Sequence, residues 1–267
     1  MKRLLTMMLI LALCLPMIAC STENGGNNQP PEQEEPEVPE IQYTFAVETT
    51  SDKVSDDEGR LLASYSYETL RMEPAEGAEE QVVSMAKTFN QKQEELLETV
   101  VVNGEDLDEW AAFDEQVLAG ETHYTDELTV RYEEKGSVIS VCYEQYTYSG
   151  SAYPTVTSFS YTFDLERGDY INPIEIADDP DTFRATVTDL ILDQIMGMGQ
   201  EIHDSLFEGY EATVEGWNDY YVSFGDDICV IFSACSLGPH ALGAMEFHID
   251  YSEVNLGEGG EAKLGLG

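Results

Sequence analysis

The chain has 267 residues, 42% of them hydrophobic and 10% aromatic, with 53 acidic against 12 basic side chains and a net charge of −41. Phosphate backbones are repelled at that charge, which excludes nucleic acid as a partner. The same acidity either steers a cationic ligand or protein inward or only keeps an exposed protein soluble.

At the N-terminus Lys2 and Arg3 precede an apolar run from Leu4 to Leu15, then "PMIAC" ending at Cys20. The run is shorter than the roughly 20 residues of a membrane span, and a small residue, Ala19, sits just before the cysteine. Residues 1–19 therefore read as a lipoprotein-type signal peptide. Cys20 becomes the lipidated first residue of an extracytoplasmic chain held to the cell membrane by that lipid. The stretch that follows, "STENGGNNQPPEQEEPEVPE", has four prolines, six glutamates and no basic residue. It cannot bury enough apolar surface to order itself, so residues 20–40 read as a lipidated cysteine with a disordered acidic linker.

The body is expected as two segments, 41–120 and 121–256, with a flexible tail over 257–267. "IQYTFAVET" and "RLLASYSYETLRM" read as strands joined across "SDKVSDDEG". Val82, Met85, Phe89, Leu96 and Val100 then recur at helical spacing. A second helical stripe, Leu107, Trp110, Ala111, Phe113, Val117 and Leu118, follows a cap at Asp106.

After Gly120 the period becomes 2, with Leu128, Val130 and Tyr132 on one face of a strand and Glu127 and Arg131 on the other. "SVISVCYEQYTYSG" starts with Ile139, Val141 and Tyr143 in phase and continues with Tyr146 and Tyr148 out of phase, which predicts a bulge near Glu144 and Gln145. "TVTSFSYTFDL" alternates strictly, and its uniformly polar Ser158, Ser160 and Thr162 predict a sheet face open to water. Asp179-Pro180 starts a helix with a stripe of Phe183, Val187, Leu190, Ile191, Gln194 and Met198. "DYYVSF" and "ICVIFSA" flank a Gly225-Asp226-Asp227 turn, and "EFHIDYSEV" closes the pattern with Phe247, Ile249 and Tyr251 inward and His248 outward. Runs of strands punctuated by single helices imply an α+β fold of antiparallel sheets with helices packed on one face.

Three cysteines remain in the body, Cys142, Cys229 and Cys235. On one continuous strand Cys229 and Cys235 lie about 20 Å apart and cannot bridge. Either Cys142 pairs with one of them, or all three are buried thiols.

The turns "YSGSAYP" (Tyr148 to Pro154), "FDLERGDYI" (Phe163 to Ile171) and "GPHALG" (Gly238 to Gly243) give the Thr122 to Val254 segment a resemblance to DUF3298-type domains. These occur in cell-wall polysaccharide deacetylases and in the extracellular part of an anti-sigma factor that acts as a lysozyme receptor. Tyr153 stands where that family often has histidine, and His240 where tyrosine is common. The Ile41 to Val102 segment resembles the small DUF4163-type domain that precedes the catalytic part of such deacetylases, whose catalytic domain this chain lacks. The resemblance implies partner contacts near the loops, at Tyr148, Gly150, Tyr153, Pro154, Gly238, Pro239 and His240.

No chemistry is announced elsewhere. His123, His203, His240 and His248 have no metal-ligand spacing, and the best constellation, His240, Glu246 and His248, reads as a solvated polar face. No Gly-x-Ser-x-Gly nucleophile turn occurs, and among 53 acids a carboxylate pair carries no signal. Tyr143, Tyr146, Tyr148, Tyr153 and Tyr161 cluster around one hairpin, either as a partner surface or as half-buried strand aromatics. The expected function is a non-catalytic envelope binding or sensing module for a lysozyme-like cationic protein or a peptidoglycan glycan, with no metal and no cofactor. The alternative is an envelope hydrolase, or a deacetylase-associated protein, with a site not visible in sequence. A histidine brought together with two carboxylates, or with a second histidine, in a pocket would favour that alternative.

Overall fold

The computed structural model describes residues 42–104 and 107–267, so the expected signal peptide, lipidated Cys20, acidic linker and cap at Asp106 lie outside the described residues. β1 (Tyr43–Ser55) and β2 (Leu61–Pro74) pair antiparallel. The Asp56 side chain holds their turn, its Oδ1 accepting the backbone N–H groups of Glu58 and Arg60 at 2.9 Å. α1 (Glu80–Gly104) follows and lays Met85, Phe89, Leu96 and Val100 on the sheet.

The second helical stripe breaks in two, α2 (Leu107–Ala111) and α3 (Glu115–Leu118). Asp114 is the cause, because its carboxylate accepts from the N–H groups of Gln116 and Val117 and starts a new helix there. Leu107, Ala111 and Val117 reach a core, but Trp110 and Phe113 do not; they are 59% and 86% exposed.

β3 (Tyr124–Lys135) then lies parallel to β2, Ala63 opposite Tyr124. Parallel neighbours need a long crossover, and α1 to α3 supply it. β4 (Val138–Tyr148), β5 (Thr155–Asp164) and β6 (Asp169–Ile171) follow antiparallel, completing a six-stranded sheet in chain order. The division expected at residue 120 therefore falls inside one sheet, and the described residues on both sides of it share one compact unit.

β4 carries no bulge; its register with β3 and with β5 is unbroken through Glu144 and Gln145. The phase change has another cause. Ile139, Val141 and Tyr143 face α1, whereas Gln145 and Thr147, further along the same face, serve the buried carboxylate of Asp126. Gln145 Nε2 donates to it at 3.0 Å, Thr147 Oγ1 at 2.7 Å and Tyr67 Oη at 2.9 Å. A buried carboxylate requires such donors, so apolar alternation stops while the pleat continues.

The second half of the chain builds α4 (Pro180–Gly197), α5 (Gln200–His203) and α6 (Tyr210–Glu215), then a sheet of β7 (Tyr221–Phe224), β8 (Ile228–Phe232) and β9 (Met245–Ile249). Asp179 caps α4 through the N–H of Thr182 at 3.2 Å. Val222, Phe224, Val230, Phe247 and Ile249 share one face and pack on Phe183, Val187 and Ile191 of α4 and on Trp217. Each sheet thus has its helices on one face, and the fold is α+β. Among the described residues no helix is long and apolar enough to cross a membrane.

The serine face of β5 is covered rather than open. β7 is an edge strand, and its outer backbone groups need partners. Ser160 Oγ lies 2.7 Å from both Val222 N and Val222 O, and Ser140 Oγ accepts from Phe224 N at 2.9 Å. The polar alternation reports a seam between two sheets.

Residues 257–267, expected as a flexible tail, form α7 (Gly257–Lys263) and pack down. Leu264 is buried, Lys263 Nζ lies 2.7 Å from Asp164 Oδ2, and the Lys263 carbonyl accepts from Ser137 N at 2.7 Å. The glycines that suggest flexibility fit close approaches instead. A Cβ on Gly260 would sit 2.8 Å from the Ile176 carbonyl oxygen.

Candidate functional site

The loop after β4 is fixed from below. Gly150 has φ +77°, and a Cβ there would lie 2.6 Å from Asp114 Oδ2 and 2.7 Å from Tyr124 Oη. Tyr124 Oη donates to Asp114 at 3.0 Å, and Tyr148 meets the Tyr124 ring edge-on at 6.3 Å. Only glycine lets the backbone pass so close with that dihedral. Ser151 Oγ then donates to the Tyr153 carbonyl at 2.5 Å, leaving the Tyr153 side chain 71% exposed.

The loop before β9 is equally constrained. Gly238 lies against the Leu242 side chain and the Ser205 carbonyl, Pro239 is extended, and His240–Leu242 make one 3-10 turn that Gly243 leaves at φ +71°. The two loops converge: the rings of Tyr153 and His240 stack 5.9 Å apart at 30°. Tyr148 ends β4 and Gly150 opens the first loop, and Gly238 and Pro239 precede the turn that carries His240. Of the remaining tyrosines, Tyr143 is buried under α1, and Tyr161 packs on Tyr143 and Tyr170. Strand packing accounts for both. Exposed Phe113, next to the Asp114 that meets Gly150, was masked by its helical spacing.

A different group of side chains lines a cavity of about 700 Å³ beside β8 and β9. His248 Nδ1 lies 2.9 Å from Asp227 Oδ2, His248 Nε2 lies 3.1 Å from Glu246 Oε1, and Cys229 Sγ donates to Glu246 Oε1 at 3.4 Å. Glu246 and His248 are together as the strand pattern predicts, but Cys229 takes the place expected for His240. The Asp227 hydrogen bond, with burial opposing and the charges of Asp227 and Glu246 assisting, raises His248 above the usual imidazole range. Burial first, then the Glu246 carboxylate, pushes the Cys229 thiol up to about 12. Cys142, beside Cys229 and Tyr221, is pushed by burial to about 11. Among the described residues Cys142, Cys229 and Cys235 form no disulfide, and Cys235 is exposed rather than buried.

Comparison with solved structures identifies the architecture. A crystal structure of a DUF3298 family member from Bacteroides fragilis superposes with a TM-score of 0.58, covering 83% of this chain and 96% of that one at 15% identity. The chain has a DUF3298-type fold. A DUF3298 family protein from Pseudomonas aeruginosa aligns with a TM-score of 0.49 over 80% of this chain and 93% of its own at 10% identity. No family model and no curated protein matches the sequence. The share covered by the Bacteroides structure exceeds the 121–256 segment, so the DUF3298-type fold takes in β1, β2 or α1 as well as the later strands.

Proposed function

We propose that this protein is a non-catalytic binding or sensing module of the cell envelope, tethered through Cys20, with its N-terminal strands and α1 forming a DUF4163-like part fused into the DUF3298-type sheet. The observation that carries the reading is the convergence of two loops, far apart in sequence, on the exposed Tyr153–His240 stack. Tyrosine at the tip of a rigid loop supplies contact area at little entropic cost. Phe113 adds an exposed aromatic near the same loop. The ligand is a lysozyme-like cationic protein drawn by the net charge of −41, or a peptidoglycan glycan stacked on the aromatic rings.

Binding of the protein to lysozyme and to soluble peptidoglycan fragments, at low and moderate salt, tests this. Salt-sensitive lysozyme binding or salt-tolerant glycan binding, weakened at least tenfold in Tyr153→Ala/His240→Ala, is the expected result. No binding to either, or binding unchanged in the variant, refutes it. The second reading, an envelope hydrolase, has one observation in its favour: a histidine, two carboxylates and a thiol face one cavity. Release of reducing ends or of acetate from peptidoglycan would mark it.

A further inference from the structure

The Cys229 cluster lies on the face of the small sheet turned away from α4 and is independent of the two loops. Cys229 on β8 is the register partner of His248 on β9, and Glu246 stands two residues before His248, on the same face. One donor atom from each of the three lies within 4.8 Å of the other two. Glu246 Oε1 is 3.1 Å from His248 Nε2 and 3.4 Å from Cys229 Sγ. Four-coordinate zinc with bonds of about 2.0–2.3 Å spaces its donors about 3.3–3.7 Å apart, so small side-chain shifts admit an ion.

The other ring nitrogen strengthens the case. His248 Nδ1 lies 2.9 and 3.1 Å from the two oxygens of Asp227. With Nδ1–H donating to Asp227, an ion takes the place of the proton that Nε2 shares with Glu246, and a carboxylate on the far nitrogen is how metal-binding histidines are oriented. Asp227 is held in turn by the hairpin, where Gly225 N donates to its carbonyl at 3.0 Å.

Thiolate, imidazole and carboxylate together select a zinc-class ion, because calcium and magnesium take oxygen ligands. Glu133, Glu134 and Asp226 also line the cavity and outnumber Arg131 and Lys135 there, giving it the sign that collects cations. We propose that Cys229, Glu246 and His248 bind one zinc-class divalent ion, with Asp227 orienting His248 and the fourth coordination position open to the cavity. Three protein ligands and one exchangeable position is the arrangement in which zinc takes up a water or a ligand atom.

Titration of the metal-stripped, reduced full chain with Co²⁺, followed by Zn²⁺, tests the site. One equivalent of Co²⁺ should give a thiolate-to-cobalt charge-transfer band and the intense d–d bands of a four-coordinate ion, both abolished by Zn²⁺. Cys229→Ser should remove the charge-transfer band, and Asp227→Asn should weaken binding about 10–100-fold. Cys142→Ser, Cys235→Ser and His240→Ala should leave the titration as it is. Cys229 is buried, so the half-exposed His248, as His248→Ala, tests the site on an intact fold, with an expected loss of at least tenfold. The absence of a 1:1 complex, a charge-transfer band that survives Cys229→Ser, or unchanged affinity in His248→Ala would overturn the proposal.

Discussion

Replacing Lys263 by Met tests whether the C-terminal helix is structural. Asp164 is 1% exposed and Lys263 28%, and Lys263 Nζ is the partner of Asp164 Oδ2 at 2.7 Å. Oδ1 is held separately by the N–H groups of Glu166 and Arg167 at 2.9 and 3.1 Å. Removing one partner of a fully buried pair costs about 3–5 kcal/mol; with Lys263 partly in water and only one oxygen orphaned, about 2–3 kcal/mol is expected. The loss depends on pH. Burial pushes the Asp164 carboxyl up, but the Lys263 hydrogen bond and the two backbone N–H groups outweigh it and hold the group below the usual carboxylate range. A depressed folded value stabilises the protein above the unfolded carboxylate pKa of about 4, and that stabilisation disappears as pH falls through the lower folded value. Urea unfolding followed by tryptophan fluorescence should therefore show a large difference between wild type and Lys263→Met at pH 7 that shrinks as pH falls below the unfolded carboxylate value of about 4. A difference below about 0.5 kcal/mol at pH 7, as for an ordinary surface substitution, would refute the reasoning.

Gly136→Ala should destabilise by about 2 kcal/mol or more in the same assay, because Gly136 has φ +60° and a Cβ there would overlap the Lys263 carbonyl. Thr162→Val should stabilise by about 1 kcal/mol, since Thr162 Oγ1 is buried without a hydrogen-bond partner among the described residues. Ser160→Ala strips the outer backbone groups of Val222, and should cost about 1–2 kcal/mol while speeding amide hydrogen exchange at Val222. In an alkylation time course read by mass spectrometry, exposed Cys235 should react first; Cys142 and Cys229, raised to about 11 and about 12, should react only on unfolding.

The strand pattern in the second half was legible because one face is uniformly apolar: Val222, Phe224, Val230, Phe247 and Ile249 enter a single core. α1 and α4 were legible for the same reason. Where polar groups are buried, the pattern misled. Gln145 and Thr147 imitate a bulge because they serve Asp126, and Ser160 imitates a wet face because its hydroxyl binds the backbone of Val222 on β7. Phe113 has helical spacing but lies in the break between α2 and α3, just before the Asp114 that starts the new helix. At the metal-ligand cluster, alternation alone places Glu246 beside His248. Cys229 joins them only through the register of β8 on β9, and the intervening loop sets a register that periodicity does not encode. Turn chemistry marks the two loops as turns and only the family resemblance makes them contact sites; their stacking depends on the same long-range closure.

The parallel pairing of β2 with β3 also bears on how the chain reaches this fold. Its strands come together only after the whole α1 to α3 crossover has closed, and the partner of Asp164 arrives 99 residues later, from the last turn of the chain. Non-local closure of this kind slows folding and exposes unpaired strands while it proceeds. A newly made chain therefore passes through an extended unfolded interval. Its acidic excess keeps neighbouring chains apart during that time, which is the phase in which a sheet-rich protein most readily aggregates.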